Sequence, residues 1–435
     1  MRHNVELFEH ETVRVGDALR LRGGGTRLFR PEEHDALARF NDVQGGRFFR
    51  LGHKSITTTE FVGYVEVGDL AIEILPKADR APVRSATGKV WRHGLLEMLR
   101  AATGLRLENP SPASQVTGRS TLLELIARRF VDEMERLLHE GLAKGYRNEE
   151  ANGHTFRGKL LFAQQLRENL VRADRFYVRY ATFDRDIAVN RILREALDVL
   201  GGLALSGGLA ARAVACSVTF PEVSRIHVTS ETFDRVVLGR STARYHDALV
   251  LARMILEQRA PELRAGQVPV FAVLFDMNIL WERYVAALFR RAAGQRFNVS
   301  TQQSTLLWRA PGTASRTVRP DIVVRVPGRN DVILVADTKW KVAPDGIPSD
   351  DDLKQMFVYN ELFDAPRAVL LYPSTGLATG HQGAYAGRPR PSGCPHLCAT
   401  MHLGVVAEQE WQGEQMQAQI EALLQSVETK PSEVA

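Results

Sequence analysis

The sequence has few cysteines and no long apolar run. Its three cysteines, Cys216, Cys394 and Cys398, are too few and too unevenly spaced for a disulfide framework, which agrees with a reducing compartment. Apolar runs such as VILVA are much shorter than the roughly 18 apolar residues of a membrane span, and the opening segment MRHNVELFEHE does not have the pattern of a signal peptide. We therefore expect a cytoplasmic protein without membrane contact.

The sequence also lacks a phosphate-binding P-loop and any internal repeat. No G-x-x-x-x-G-K-[ST] motif occurs, and the nearest segment, ATGKVW at 86–91, has neither the first glycine nor the Ser or Thr that the motif requires. We therefore expect that this chain binds no nucleotide by itself. Because no segment recurs at a fixed period, solenoid and propeller folds are excluded.

The composition is that of an ordinary globular protein. Hydrophobic residues make up 44% and charged residues 25% of the 435 positions, a length that suggests about three domains. The net charge of +5 suits an anionic partner such as nucleic acid, although proteins without such a partner also carry it.

Three regions with different residue patterns follow one another along the chain. Residues 1–88 are β-rich, and FVGYVEVGDLAIEILPK has apolar stretches on both sides of Gly68-Asp69, a dipeptide typical of a hairpin turn. Residues 89–265 are mostly helical, because apolar residues recur at three- and four-residue spacing, and APELRAGQVP at 260–269 marks the next boundary. We predict a multi-domain α+β protein that ends in an α/β domain at 266–435.

The C-terminal region has the predicted order α-β-β-α-β. Its segments are MNILWERYVAALFRRAA, DIVVRV, VILVADTKW, DDLKQMFVYNELF and RAVLLYP. Asp321 begins the first strand, and Asp337, Thr338 and Lys339 end the second. Alternation along a strand points Asp337 and Lys339 to one face and Thr338 to the other, and a hairpin would let Asp321 approach the face of Asp337.

These charged strand ends suit a metal-dependent hydrolase. Two carboxylates that converge repel each other unless a cation lies between them, and oxygen ligands favour a hard ion such as Mg²⁺. The metal would polarise a phosphodiester and activate water, while the lysine orients that water or stabilises charge on the phosphate. The alternative is a pair of solvated strand ends joined by a surface ion pair.

The same residues resemble the PD-(D/E)XK nuclease superfamily. Pro320-Asp321 and Asp337-Thr338-Lys339 match its motif, with fifteen residues between the aspartates. Gln355 and Tyr359, four apart on a helix, match the Q-x-x-x-Y element of the RecB-like branch. Glu282 lies where this superfamily often has an acidic metal ligand on a helix. The alternative interpretation is that Glu282 is a solvated side chain beside Arg283.

The superfamily resemblance implies a role for each of these residues. Asp321, Asp337, Glu282 and Thr338 would form the metal site, which would take Mg²⁺ with Mn²⁺ as a substitute. Lys339 would act on the water or the phosphate, and Gln355 and Tyr359 would support it. Whether one or two metal ions bind is left open.

A longer resemblance covers most of the chain. IEILPK at 72–77, RGKL to FDRDIAVNRILREAL across 157–197, FDMNILWERYV at 275–285 and RPDIVV to ADTKWK resemble, in this order, the McrC family of McrBC-type restriction systems. This implies a phage-defence endonuclease subunit that cuts DNA and stimulates a hexameric McrB-like AAA+ GTPase, which reads the modified cytosine. Nuclease domains would pair for double-strand cleavage. The alternatives are a stand-alone RecB-like repair nuclease and an inert adaptor of an AAA+ ring.

Two further groups of residues are candidates for partner binding. The first could dock on the AAA+ ring or form a local polar cluster, and its members are Arg157, Lys159, Arg185, Asp186 and Asn190. The second is a basic run with interleaved aromatic residues that could bind DNA or form a solvated helix face. Its members are Arg167, Arg172, Arg175, Phe176, Tyr177, Arg179 and Tyr180.

The segment CPHLCATMH at 394–402 contains residue types that bind zinc. Cys394, His396, Cys398 and His402 could form a structural metal site, although three ligands within five residues would strain the backbone. The alternative is that the cysteines are buried as small apolar residues. Three cysteines in the whole chain also argue against the four-cysteine iron–sulfur cluster that some RecB-like nucleases carry.

Overall fold

The structure is a computed structural model that divides into two compact units. It describes residues 3–22, 24–76, 87–105, 122–203, 205–256, 270–310, 314–329, 331–341, 347–376, 380–386, 396–407 and 410–428. The first unit comprises Met1–Asn109, Leu263–Val270 and Leu274–Ala435, and the second comprises Pro110–Glu262 with Phe271–Val273. The content of helices and strands confirms the mixed α+β class.

The three-domain division at residues 88 and 265 stays a prediction, and the whole predicted boundary segment at 260–269 lies outside the described residues. No helix in the described ranges is long and apolar enough to cross a membrane.

The N-terminal part of the first unit consists mainly of strands. They are β1 (His3–Phe8), β2 (Thr12–Arg14), β3 (Ala18–Arg20), β4 (Thr26–Leu28), β5 (Phe49–Gly52), β6 (Ser55–Thr58), β7 (Phe61–Val67) and β8 (Leu70–Leu75), with helices α1 (Pro31–Val43) and α2 (Thr87–Thr103). The predicted hairpin is confirmed, because β7 and β8 pair in antiparallel around Gly68, whose φ of 59° suits glycine. Strand β1 pairs with β8 in parallel.

A buried cluster of four charges joins this sheet to α2. Arg92 Nη2 lies 2.6 Å from Glu73 and 2.5 Å from Glu6, while Arg22 lies 3.4 Å from Glu73 and 3.2 Å from Glu6. Burial lowers the pKa of Arg92, but the charges and hydrogen bonds of the two glutamates outweigh burial and raise this pKa above its ordinary value. Two arginines facing two glutamates therefore balance their charges inside the fold.

The second unit combines helices with an antiparallel sheet. Its helices are α3 (Leu122–Glu140), α4 (Phe162–Asn169), α5 (Ala188–Gly201), α6 (Gly207–Thr219), α7 (Ser230–Asp234) and α8 (His246–Leu256), with a 3-10 turn at Ala243–Tyr245, and its strands are β9 (Gly145–Gly153), β10 (Lys159–Leu160) and β11 (Phe176–Asp184). The strand order in its sheet is β10-β11-β9. The amphipathic pattern correctly predicted the long helix α3, whose apolar side chains are buried.

This sheet is an exception to the mostly helical pattern predicted for residues 89–265. Strand β10 precedes the short helix α4, and β11 pairs with β9 from Gly145 to Gly153. The reason is that β9 reads GYRNEEANG, whose polar residues show no apolar alternation, so that pairing with β11 decides its conformation. The arginines of the predicted basic run therefore do not share one helix face, because Arg167 lies on α4 and Arg179 on β11.

The C-terminal part of the first unit is built on a six-stranded mixed sheet. Its elements are β12 (Val270–Asp276), α9 (Met277–Ala293), β13 (Asn298–Thr301), β14 (Thr305–Trp308), β15 (Arg316–Val318), β16 (Ile322–Arg325), β17 (Val332–Thr338), α10 (Asp350–Phe363), β18 (Arg367–Ser374), β19 (Gln382–Ala384), β20 (Leu397–Gly404), β21 (Val406–Ala407), β22 (Glu410–Trp411) and α11 (Gly413–Glu428). The strand order is β13-β16-β17-β18-β20-β19, in which β17, β18 and β20 are mutually parallel. Strand β12, whose residues Phe271–Val273 belong to the second unit, is not among the strands of this sheet.

The sequence predicted the centre of this sheet and missed its margins. Helix α9, the hairpin of β16 and β17, helix α10 and strand β18 lie where they were predicted. The short strands β13 to β15, β19, β21 and β22, the longer strand β20 and the helix α11 were not predicted. Val335 on β17 packs against Met356 and Tyr359 of α10, and Asp337, two residues along the same strand, lies on that face.

Candidate functional site

The predicted acidic residues meet at one end of the β16–β17 hairpin. Antiparallel pairing sets Ile322 opposite Ala336, so Asp321, just before β16, lies beside the end of β17. Thr338 donates to Asp321 Oδ2 from its backbone N at 2.7 Å and from Oγ1 at 2.8 Å. Strand alternation points the Thr338 side chain away from Asp337, and at the strand end this side chain holds Asp321 in place. The hairpin thus brings the first aspartate to the DTK segment.

Lys339 is fixed between the second aspartate and helix α10. Its Nζ lies 2.7 Å from Asp337 Oδ2 and donates to Gln355 Oε1 at 2.9 Å. Its backbone N donates to the carbonyl of Leu371 on the neighbouring strand β18 at 2.9 Å. The side chain of Asp337 is buried, whereas that of Lys339 is 22% exposed. The ammonium group is therefore both oriented and open to solvent.

Gln355 and Tyr359 lie on one face of α10, as their spacing predicted. Both residues support Lys339. Gln355 Nε2 donates to the hydroxyl of Tyr359 at 2.7 Å and reaches Asp337 Oδ1 at 3.3 Å. The Tyr359 hydroxyl donates to the carbonyl of Arg319 at 3.3 Å. Burial and the negative charge of Asp337 raise the pKa of Tyr359 to about 12, so this hydroxyl remains a donor at neutral pH.

Glu282 lies on the other side of Asp321 and is partly buried, not a freely solvated side chain. Gln302 connects the two carboxylates, because its Nε2 donates to Glu282 Oε1 and also reaches Asp321 Oδ1 at 3.4 Å. Its backbone N donates to the carbonyl of Asp321 at 3.2 Å, and its φ of 54° is unusual for a residue with a side chain. Glu282 therefore belongs to the same cluster as the two aspartates.

The electrostatics of the cluster are unbalanced. Burial, followed by the negative charge of Asp321, raises the pKa of Asp337 to about 6. Burial raises the pKa of Asp321, and burial together with the charge of Asp321 raises the pKa of Glu282. Lys339 lies against Asp337, and the positive charge of Arg319 acts on Asp321 and Glu282. These cations do not offset burial, so the ionised cluster attracts a further cation.

The chemistry of these donors fits a hard divalent ion. The ligands on offer are carboxylate oxygens, which Mg²⁺ and Mn²⁺ prefer. Among the described residues, no group of three His, Cys, Asp or Glu side chains is arranged to hold a metal ion as it stands. Lys339 and Thr338 bind Asp337 and Asp321 instead, so metal binding would require these carboxylates to exchange partners.

Comparison with known proteins assigns a family. A family model described as McrBC 5-methylcytosine restriction system component matches residues 56–373. The chain belongs to this family. No curated protein matches the chain.

Two solved structures from Thermococcus gammatolerans are similar to this McrBC family member. One is a refined half-complex from a tetradecameric assembly of McrB AAA+ hexamers with bound McrC; the match covers 97% of this chain and 100% of that chain, with TM-score 0.60 and 20% identity. The other is a cryo-EM structure of the McrBC complex, matched over 67% of this chain and 88% of that chain, with TM-score 0.44 and 20% identity. The likeness to the first shows a shared fold.

One buried acid near the site of this family member was missed by the sequence analysis. Asp352, in the first turn of α10, lies 2.6 Å from Lys341 Nζ and 3.7 Å from Lys339 Nζ, and it accepts from the Tyr372 hydroxyl at 3.2 Å. Burial opposes ionisation, but hydrogen bonds from Lys341 and Ser349 outweigh it and lower the pKa of Asp352. Its position three residues before Gln355 was the available signal.

The site is also connected to the N-terminal strands through Trp340. Its indole N–H donates to Glu9 Oε2 at 2.9 Å, and its ring contacts Trp281 and Trp91 with centroid separations of 5.3 and 6.4 Å. Trp281 and Trp91 are fully buried. The residue after the candidate catalytic lysine is therefore held by residues distant in the sequence.

The possible zinc ligands are only partly described. Cys394 lies outside the described residues, and Cys398 is buried. His396 Nε2 lies 2.7 Å from Glu361, and the ring of His402 stacks on Tyr372. These contacts agree with packing roles for His396, Cys398 and His402.

The candidate docking residues have different environments. Asn190 is fully buried and donates to the carbonyls of Ala143 and Arg185, so it cannot reach a partner. Asp186 lies before α5, not on a helix face, and it pairs with Arg191 at 2.6 Å. Arg157, Lys159 and Arg185 are exposed, although the guanidinium of Arg157 lies over the ring of Tyr180.

Proposed function

We propose that this chain is the DNA-cutting McrC subunit of an McrBC-type restriction system and works in the cytoplasm with an AAA+ GTPase ring. The observation that carries the proposal is the meeting of Asp321, Asp337 and Lys339 at one sheet end. The mixed sheet with this motif at its hairpin supports a PD-(D/E)XK nuclease domain. Family membership supports the restriction system.

The proposed reaction is hydrolysis of a DNA phosphodiester. Asp321, Asp337 and Glu282 would hold Mg²⁺, which supplies Lewis-acid polarisation of the phosphate and activation of water when bound. Thr338 fixes the carboxylate of Asp321. The oxygen of water bonds to phosphorus, the bond from phosphorus to the departing sugar oxygen breaks, and that oxygen takes a proton.

Lys339 acts on the water or on the charge that develops on the phosphate. Its ammonium is held by Gln355, which Tyr359 in turn holds by a hydrogen bond. A donor fixed in this way stabilises developing charge without having to reorganise during the reaction. Gln355 and Tyr359 therefore act through the lysine.

A partner ring is supported by the fold likeness and by the surface of the second unit. The similar solved assembly contains McrB AAA+ hexamers with bound McrC. On and just after α4, Phe162, Leu166 and Leu170 are 72%, 62% and 77% exposed and are spaced four apart, which places them on one face. Such an apolar stripe suits docking on a protein. We assign this surface to the AAA+ partner, whose GTP hydrolysis the chain would stimulate.

Plasmid cleavage by the purified chain tests the proposal. The chain is incubated in Mg²⁺ with methylated or unmethylated plasmid, with and without the AAA+ protein encoded beside it and GTP. We expect cleavage only with Mg²⁺, partner, GTP and methylated DNA together. Cleavage by the chain alone, indifferent to GTP, would favour a stand-alone repair nuclease, and GTPase stimulation without cleavage would favour an inert adaptor.

A further inference from the structure

The hairpin of β14 and β15 exposes three consecutive apolar side chains. Its strands pair Thr305 with Val318, Leu306 with Thr317 and Trp308 with Arg316, and the register shift between Leu306 and Trp308 marks a bulge. Leu306, Leu307 and Trp308 are 44%, 47% and 54% exposed. In a regular strand neighbouring side chains point to opposite faces, and a bulge re-aims them.

All charged residues in the sequence of this hairpin are positive. Residues 302–320 contain no aspartate or glutamate but contain Arg309, Arg316 and Arg319, all of which are exposed. Within the described part of the chain, Arg309 and Arg316 form no ion pair. Apolar side chains flanked by unpaired arginines suit a polyanion with apolar groups between its charges, and DNA is such a polymer.

Both ends of this hairpin are anchored at the carboxylate cluster. Before it, Gln302 contacts Glu282 and Asp321, and after it the carbonyl of Arg319 accepts from Tyr359. Val318 packs against the core that contains Tyr359. Burial raises the pKa of Asp321 and of Glu282, and the positive charge of Arg319 is among the influences that oppose the rise. The hairpin therefore begins and ends beside the proposed site of cleavage.

We propose that this hairpin binds duplex DNA next to the phosphate that is cut, with Arg309, Arg316 and Arg319 on backbone phosphates and Trp308, Leu306 and Leu307 against the minor groove. The assignment rests on the proposed nuclease function and adds which surface holds the substrate. A second copy of this chain fits the hairpin less well, because two copies would bring like charges together.

Binding to a fluorescein-labelled DNA duplex in EDTA tests this assignment without cleavage. For the full chain with Arg309→Gln and Arg316→Gln, we expect the slope of log affinity against log salt concentration to become shallower by about two, roughly one for each lost phosphate contact. Arg329→Gln is the matched control, because Arg329 is exposed in the turn at the opposite end of β16 and β17. The control should keep the wild-type slope.

Trp308→Ser tests the apolar contact. We expect DNA affinity to fall by about tenfold, with the thermal unfolding midpoint unchanged because the side chain is exposed. Trp308 is also a direct reporter, because the other four tryptophans, which are all described, are buried or partly buried. DNA should protect its fluorescence from acrylamide quenching, and Trp308→Phe should lose this protected signal.

These experiments distinguish failure of the DNA-binding assignment from failure of the nuclease proposal. Wild-type salt slope in the double arginine variant, or unchanged quenching of Trp308 with DNA, would refute DNA binding by the hairpin. A Trp308→Ser variant that changes only from dimer to monomer in light scattering would assign the hairpin to a second copy instead. A chain that binds DNA through the hairpin but never cuts it in Mg²⁺ with partner and GTP would refute only the nuclease function.

Discussion

The first unit contains two clusters of largely buried charged side chains, which differ in whether their positive and negative charges balance. In the N-terminal cluster Arg22 and Arg92 face Glu6 and Glu73, and the charges balance. In the C-terminal cluster Asp321, Asp337 and Glu282 lie together, and burial raises the pKa of all three acids despite the positive charges of Lys339 and Arg319 nearby. In the first arrangement each charge has a partner of opposite sign, whereas the ionised form of the second attracts an external cation. Charge balance thus separates a structural cluster from a candidate catalytic one.

Removing the lysine of the unbalanced cluster should have the largest effect. We expect Lys339→Ala to lower DNA cleavage by at least about a hundredfold, because it removes an oriented donor beside the reacting phosphate. Its unfolding midpoint should fall, because the buried carboxylate of Asp337 loses its cation, so cleavage is compared well below that midpoint. Lys354→Ala is the control, since Lys354 is an exposed lysine on α10 that pairs only with Asp351 among described residues. Cleavage at the wild-type rate by Lys339→Ala would refute the mechanism.

Breaking the balanced cluster should cost stability and not chemistry. Arg92→Ala leaves the buried Glu73 and the partly exposed Glu6 without their main cation. We expect the free energy of unfolding to fall by about 3–5 kcal/mol in urea titrations. Arg100→Ala on the same helix should cost less than about 1 kcal/mol, because its pair with Glu97 is partly exposed. Equal losses in the two variants would contradict the proposed balance of buried charges.

The bridge between Glu282 and Asp321 should have a smaller effect on activity. We expect Gln302→Gly to lower cleavage by about tenfold, because the amide that holds the two carboxylates together is lost. Glycine relieves the cost of the positive φ, which Gln302→Ala keeps, so the glycine variant should be more stable than the alanine variant by about 1 kcal/mol. Wild-type cleavage by Gln302→Gly in the same assay would show that the bridge is not needed.

Neutralising one carboxylate of the unbalanced cluster should slightly stabilise the fold. Asp337 has a folded-state pKa of about 6, above its ordinary value, so wild-type stability should fall as pH rises from about 4 to about 6 in EDTA. Asp337→Asn should therefore be more stable than the wild type by about 1 kcal/mol at pH 7, and the gain should vanish near pH 4. If the stability gain of Asp337→Asn grew as pH falls, the pKa of Asp337 would not be raised in the folded state.

The two clusters also show what the sequence could and could not predict. Asp321, Asp337 and Lys339 were predicted because they lie at the ends of apolar strands and match the PD-(D/E)XK motif. Gln355 and Tyr359 were predicted because, four apart on a helix, they match the Q-x-x-x-Y element of RecB-like nucleases. Gln302 was missed because a left-handed residue in a short connection has no periodic signal. The bond between Trp340 and Glu9 spans 331 positions, so no local pattern could predict it. The polar strand β9 was missed because its partner decides its conformation.

Calorimetric titration of Mg²⁺ into the full chain tests most directly whether the unbalanced cluster is a cation site. We expect saturable Mg²⁺ binding by the wild type at pH 7.5 and loss of that binding in Asp321→Asn and Asp337→Asn. Arg100→Ala should bind Mg²⁺ as the wild type does. Binding should weaken as pH falls below about 6, where Asp337 takes up a proton. Equal Mg²⁺ binding by the wild type and both aspartate variants would show that Asp321 and Asp337 do not hold the cation.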